Sequence, residues 1–196
     1  MHCIKDLYKL KNLLFMISAL MTFVPVSSFS QELSKKEQRK LHKEIKKEQE
    51  AEEAALKAEF VKMMLHQRRF VLEAEQLRNL GGNMIYVSSM INFVAADSIS
   101  GVIQVGSNTY VGLNGVGGLT LEGRISNYEF TYNEKKGSHF LKYNLQTSSG
   151  TYDVRMNISA GGIADATISS TWPGKLTYVG NIVPPARSRV YKGSSF

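Results

Sequence analysis

The sequence predicts a mainly β protein: a small antiparallel up-and-down barrel or two-sheet sandwich of about eight strands, preceded by one long charged α-helix. Three observations predict it. Residues 34–69 contain neither proline nor glycine and are dominated by Lys, Glu, Gln and Ala, which are strong helix formers. From Phe70 onward the apolar pattern shifts to a period of two, the signature of half-buried strands. Turn signals then recur at hairpin spacing: Lys135-Lys136-Gly137, Ser148-Ser149-Gly150, Gly161-Gly162 and Trp172-Pro173-Gly174.

The chain begins with a segment of a different kind. Lys5, Lys9 and Lys11 precede an apolar run from Leu13 to Val26, and Ser28 and Ser30 lie three residues and one residue before Gln31. That is the layout of a secretory signal peptide over residues 1–30, cleaved between Ser30 and Gln31. The run falls short of the roughly 20 apolar residues of a bilayer span, although an uncleaved anchor is the competing reading. The single cysteine, Cys3, precedes the run, so cleavage leaves a chain without thiols or disulfides, held together by burial and hydrogen bonds.

The formal net charge is +7. Cleavage removes Lys5, Lys9, Lys11 and Asp6, leaving 21 basic and 16 acidic side chains, or +5. This modest surplus sits largely on the charged helix, where solvation explains it, and nucleic acid is not an expected partner.

Residues 31–69 form the helical segment. Ser34-Lys35-Lys36-Glu37 has capping-box spacing. Leu41 and Ile45 are followed by Glu48 and Glu52 where their stripe would continue, whereas Ala55, Leu56, Phe60, Met63 and Met64 cluster near the end. The second half is therefore expected to dock on a core and the first half to stay solvated. No heptad is sustained, which argues against a long coiled coil.

Residues 70–196 form the β domain. Phe70, Leu72 and Ala74 alternate with Val71, Glu73 and Glu75, and two further β-rich runs follow, Met84–Asp97 and Gly101–Gly106. Gly118 to Ile182 then reads as a meander of about five strands, because short turns force sequential antiparallel neighbours. In its clearest strand, Tyr152, Val154, Met156 and Ile158 share one face, opposite Asp153, Arg155, Asn157 and Ser159. One phase slip stands out: Leu119, Leu121 and Ile125 are odd-numbered, but Tyr128, Phe130 and Tyr132 are even. A bulge near Ser126-Asn127 keeps both sets on one face.

The chemistry of several function classes is missing. Gly112, Gly115, Gly117 and Gly118 imitate a phosphate loop, but Leu-Thr-Leu-Glu-Gly follows them. A nucleotide loop opens a helix instead. His42, His66 and His139 have no second ligand at metal spacing, and Asp97, Asp153 and Asp165 form no calcium loop. No metal or cofactor is expected. No nucleophile-elbow motif occurs, and no catalytic residue is assigned, although Glu73, Glu75, Glu122 and Glu129 leave open a convergent carboxylate pair. The terminal Phe196 lacks the preceding apolar alternation of an outer-membrane strand, so no membrane span is expected after cleavage.

Five stretches are distinctive: RRFVLEAEQL, INFVAADSISGVIQVGS, GLNGVGGLTLEGRISNYE, TYDVRMNISAGGIADATIS and GKLTYVGNIVP. In them the chain resembles the exported bacterial family known as domain of unknown function 4251, of Bacteroidetes type. The likeness extends over nearly all of the mature chain, and Asn-Gly-Val-Gly-Gly is its most specific part. It implies a secreted or periplasmic β domain, and no activity, cofactor or catalytic residue.

The leading functional expectation is thus a non-enzymatic, lipocalin-like periplasmic or secreted protein holding a small apolar or amphipathic ligand in the barrel mouth. Candidate contacts are the loop residues Asn114, Gly115, Gly117 and Gly118 with Tyr128, Tyr152 and Trp172; Tyr110 and Tyr178 are further aromatic candidates, and each ring has plain core packing as its alternative. Gly112–Gly118 is read first as an ordered connection, whose backbone N–H groups are a secondary candidate for a polar ligand group. The alternative functions are an envelope protein-interaction module using the helix as its arm, and a hydrolase with an unrecognised site.

Overall fold

Helix α1 spans Lys35–Gln67 in a computed structural model that describes residues 34–112, 114–170 and 174–195. The expected signal peptide and the Ser30-Gln31 cleavage point lie outside the described residues, as do Trp172 and Phe196. The capping box is formed: the Glu37 N–H donates to Ser34 Oγ at 3.4 Å, and the Ser34 N–H donates to Glu37 Oε2 at 2.9 Å. Residues 34–57 are exposed throughout, as their charge dictates. The chain divides into two units, Met1–Glu44 and Ile45–Phe196, so the division falls within α1.

In the second unit, Val61, Met64 and Leu65 are buried in the barrel core. Of the apolar cluster expected to dock, only Met64 does so fully; Leu56, Phe60 and Met63 remain exposed. The buried set is spaced i, i+3, i+4, one helix face. The chain leaves that face through Arg68, a non-glycine residue at φ 54°.

Nine strands follow: β1 (Arg69–Asn79), β2 (Met84–Tyr86), β3 (Phe93–Asp97), β4 (Ser100–Val105), β5 (Leu119–Asn133), β6 (Ser138–Thr147), β7 (Gly150–Ser159), β8 (Ile163–Ser170) and β9 (Lys175–Val183). β3 to β9 pair in sequence order, and β1 pairs with both β3 and β9, closing an eight-stranded antiparallel barrel. Closure removes the sheet edges that an open meander would expose. β2 pairs with the end of β1 on the edge that β3 also uses. The Met84–Asp97 run is therefore a single partner strand for β1, interrupted by an excursion at Ser88–Ile91. The Val87 N–H donates to the Glu75 carbonyl before the excursion, and the Asn92 carbonyl accepts from the Ala74 N–H after it.

The expected bulge in β5 is present. Ser126 opposes Asn144 and Glu129 opposes Lys142, with the register shifting between them and Asn127 at φ 51°. Ile125 and Tyr128 consequently both reach the interior cluster. A second bulge, in β1, escaped the sequence pattern. Ala74 opposes Gly180 and Gln76 opposes Val179, so Glu75 is the extra residue and Leu77 replaces the even-numbered series on the buried face.

The two barrel ends differ. At one end, α1 enters β1 and its last turns plug the interior with Val61, Met64 and Leu65. The other end is framed by the start of β5, the end of β8 and the start of β9, and it stays open. After a short 3-10 turn at Pro185–Arg187, the C-terminal segment returns across the outside of the barrel. It binds Glu73 through Ser188 Oγ at 2.7 Å, Met90 through the Tyr191 N–H at 2.7 Å, and Gln104 Oε1 through the Gly193 N–H at 2.8 Å.

Candidate ligand pocket at the open barrel end

A cavity of about 320 Å³ occupies the open end. Ile103 and Val105 of β4 and Leu119 and Leu121 of β5 form one wall. Tyr152 of β7, Ile168 of β8 and Leu176 of β9 form the facing wall. Each lies within three residues of the strand end that frames this opening. Leu119 remains 44% exposed, so the apolar wall continues out to the mouth.

Polar groups in this wall are few. Ser169, Ser170 and Lys175 border it, and Tyr178 contributes from the barrel interior. Tyr178 is fully buried, and its hydroxyl has no hydrogen-bond partner among the described residues. Burial pushes its phenol well above the ordinary value, so the group is a neutral donor. No His, Asp or Glu lines the cavity among the described residues. Its size lies at the lower end of ligand pockets, roughly 300–1,000 Å³.

The structure separates the residues singled out from sequence. Tyr152 lines the cavity. Tyr128 belongs to the helix-plugged end: its hydroxyl donates to the Leu65 carbonyl at 2.8 Å, the Arg68 guanidinium lies 4.8 Å from its ring centroid, and it stacks on Tyr143 at 6.0 Å. Trp172 lies outside the described residues. Tyr110 is exposed in the β4–β5 loop.

Asn114, Gly115, Gly117 and Gly118 lie in that same loop and form no part of the cavity wall. Asn114 is buried and organises the turn. Its Oδ1 accepts from the N–H groups of Val116 at 3.2 Å and Gly118 at 3.1 Å, and its Nδ2 donates to Thr120 Oγ1 at 3.1 Å. The Gly117 N–H donates to the Val111 carbonyl at 2.6 Å. These N–H groups, expected as a secondary anion site, are consumed within the loop. Gly117, at φ 72°, packs so closely that a Cβ would overlap the Tyr110 carbonyl oxygen, and a Cβ on Gly118 would overlap that of Val105. Gly115, at φ 74°, has open space around it. The loop turns a corner tightly.

The four carboxylates left open as a convergent pair go to separate partners. Glu73 accepts from Ser188 Oγ and the Arg189 N–H, and Glu75 from Asn181 Nδ2 at 3.4 Å. Glu122 pairs with Lys192 at 2.8 Å, which lowers its pKa, and Glu129 pairs with Lys142 at 2.9 Å. Among the described residues no group of three His, Cys, Asp or Glu is placed to hold a metal ion. No helix there is long and apolar enough to cross a membrane.

The family model for a domain of unknown function, DUF4251, matches residues 52–182. The chain belongs to the DUF4251 family. The matched span runs from the second half of α1 to the end of β9, thus covering the helix plug, every barrel strand and the cavity wall. A crystal structure of a DUF4251 family protein from Bacteroides eggerthii DSM 20697 is 28% identical, with a TM-score of 0.59 over 72% of this chain and 97% of that one. No curated protein matches. DUF4251 membership supports the barrel and assigns no activity.

Sequence reasoning missed Lys175 and the aliphatic wall of Ile103, Leu121 and Ile168. The usable signal was the inward phase of each strand at its open-end terminus, but that requires knowing which end the helix plugs.

Proposed function

We propose that this protein is an exported, non-enzymatic binding protein, working in the periplasm or outside the cell once residues 1–30 are removed, and that its barrel holds a small apolar or amphipathic molecule. The observation that carries this reading is the apolar cavity of about 320 Å³ at the unplugged barrel end. Burying an apolar ligand there removes its surface from water at roughly 25 cal/mol per Å². The absence of His, Asp and Glu from the described cavity wall supports binding over hydrolysis.

Mass spectrometry of protein purified from its native host tests both parts. The expected denatured mass begins at Gln31, and the expected native spectrum carries a small adduct that denaturation releases. A mass retaining Cys3, or carrying a covalent lipid, would defeat the export reading. A Leu121→Trp variant that keeps the adduct unchanged would defeat the pocket reading.

A second reading, an envelope protein-interaction module, is favoured by one observation. Leu56, Phe60 and Met63 are exposed at i, i+4, i+7, a stripe fit for a partner groove. A partner whose binding survives serine at all three positions would count against it.

A further inference from the structure

We propose that the open-end pocket takes a single-chain anionic amphiphile, chain first, with its charged head beside Lys175. This rests on the pocket reading above and adds the ligand's charge, length and direction. At the ~30 Å³ that a water occupies in the liquid, a cavity of about 320 Å³ holds about ten heavy atoms. One acyl chain of roughly that carbon count fills it; a two-chain lipid does not fit.

Charge sets the direction. Lys175 is the one charged side chain in the described wall, and it is exposed at the rim. Glu122 of β5 and Asp153 of β7, on strands that frame the pocket, are engaged by other partners: Glu122 by Lys192 and Asp153 by Asn144. Deep in the cavity the polar group is a neutral phenol, Tyr178, and a carboxylate buried there would lack a counter-cation and most of its hydration. A head at the rim keeps its water and gains the Lys175 ammonium. The partly exposed Leu119 continues the apolar wall to the entrance, so a chain can enter ahead of its head.

The test is calorimetric titration of the mature protein with decanoate, octanoate, decanol, decyltrimethylammonium and dioctanoyl phosphatidylglycerol, each below its aggregation concentration. Decanoate is expected to bind best, with affinity falling about fourfold per methylene removed. Lys175→Glu is expected to weaken decanoate about three- to tenfold and leave decanol unchanged; as an exposed residue it should not alter the thermal midpoint. Decanol or the ammonium binding as tightly as decanoate would overturn the anionic assignment while the apolar pocket stands. Equal competition by the two-chain lipid would overturn the single-chain claim and point to a membrane source. Tyr178→Phe weakening decanoate selectively, with Lys175→Glu silent, would reverse the direction of entry. If none of the compounds binds, the pocket reading falls as well.

Discussion

The Tyr128 hydroxyl donates to the Leu65 carbonyl at 2.8 Å across 63 residues of sequence. Leu65 is the last buried residue of α1, and Tyr128 is the first interior residue after the β5 bulge. The bond therefore joins a carbonyl in the last turn of the helix, which also accepts from the Arg68 N–H at 3.2 Å, to the irregularity that turns Tyr128 inward. Tyr128→Phe keeps the ring and removes the donor. It should cost about 0.5–1.5 kcal/mol, read as a lower urea midpoint with an unchanged m-value. An unchanged midpoint would mean that the Arg68 N–H satisfies this carbonyl on its own.

The plug and the exposed part of α1 should separate sharply in stability. Leu65→Ala opens space in a core where Leu65 is fully buried, at about 2–5 kcal/mol. Removing Ser34 to Glu53, all exposed, should leave the barrel's thermal midpoint nearly unchanged. A loss above roughly 2 kcal/mol in the deletion would show that this segment is docked.

Three glycines of the β4–β5 loop should rank by mechanism. Gly115→Ala meets only the left-handed backbone penalty, about 1–2 kcal/mol, because nothing lies near its Cβ position. Gly118→Val meets backbone directly and should cost about 1–3 kcal/mol. Gly117→Val combines positive φ with a backbone clash and should be the worst. Equilibrium denaturation of the three variants gives the order; Gly115→Ala proving worst would contradict it.

Gln104 is the hub of the outer face. It is fully buried, its Nε2 donates to the Ile91 and Tyr191 carbonyls, and its Oε1 accepts from Thr120 Oγ1 and the Gly193 N–H. Gln104→Leu strands those groups and should cost about 2–4 kcal/mol. Hydrogen exchange should show residues 188–195 losing protection first. Protection lost uniformly over the barrel would mean that the tail is not a separate strap.

His139 should make the plugged end acid-sensitive. It is buried against Phe130 and Tyr132, its Nδ1 has no partner among the described residues, and Lys62 and His66 lie close enough to oppose its charging. Burial first, then Lys62 and His66, lowers its pKa below the ordinary 6.5. A depressed folded-state pKa means that the unfolded chain binds the proton more readily. The contribution is thus complete above pH about 6.5 and declines as pH falls toward the folded-state value. The thermal midpoint of the wild type should drop between about pH 7 and 5 more steeply than that of His139→Phe. Parallel curves would assign the acid sensitivity elsewhere.

Much of this architecture is carried by local pattern. The alternation of Tyr152, Val154, Met156 and Ile158, the hairpin turns, the Ser34–Glu37 cap and the slip at Ser126-Asn127 each need only neighbouring residues and the pleat of a strand. The family resemblance was legible for a similar reason, since its distinctive stretches are contiguous. Other features depend on partners remote in sequence. Glu75 became a bulge because β1 must match β9, which arrives a hundred residues later. Tyr128, an equal candidate with Tyr152 by sequence, lies at the opposite end of the barrel because it follows the bulge in the second half of β5, the half that meets the helix plug. Asn114 and the glycines beside it were spent on a turn whose tightness comes from the carbonyls of Tyr110 and Val105. The cavity itself belongs to no segment. It exists because eight strands close around one end that the helix fills and one that it leaves open, and burial of that kind is set only when every strand is in place.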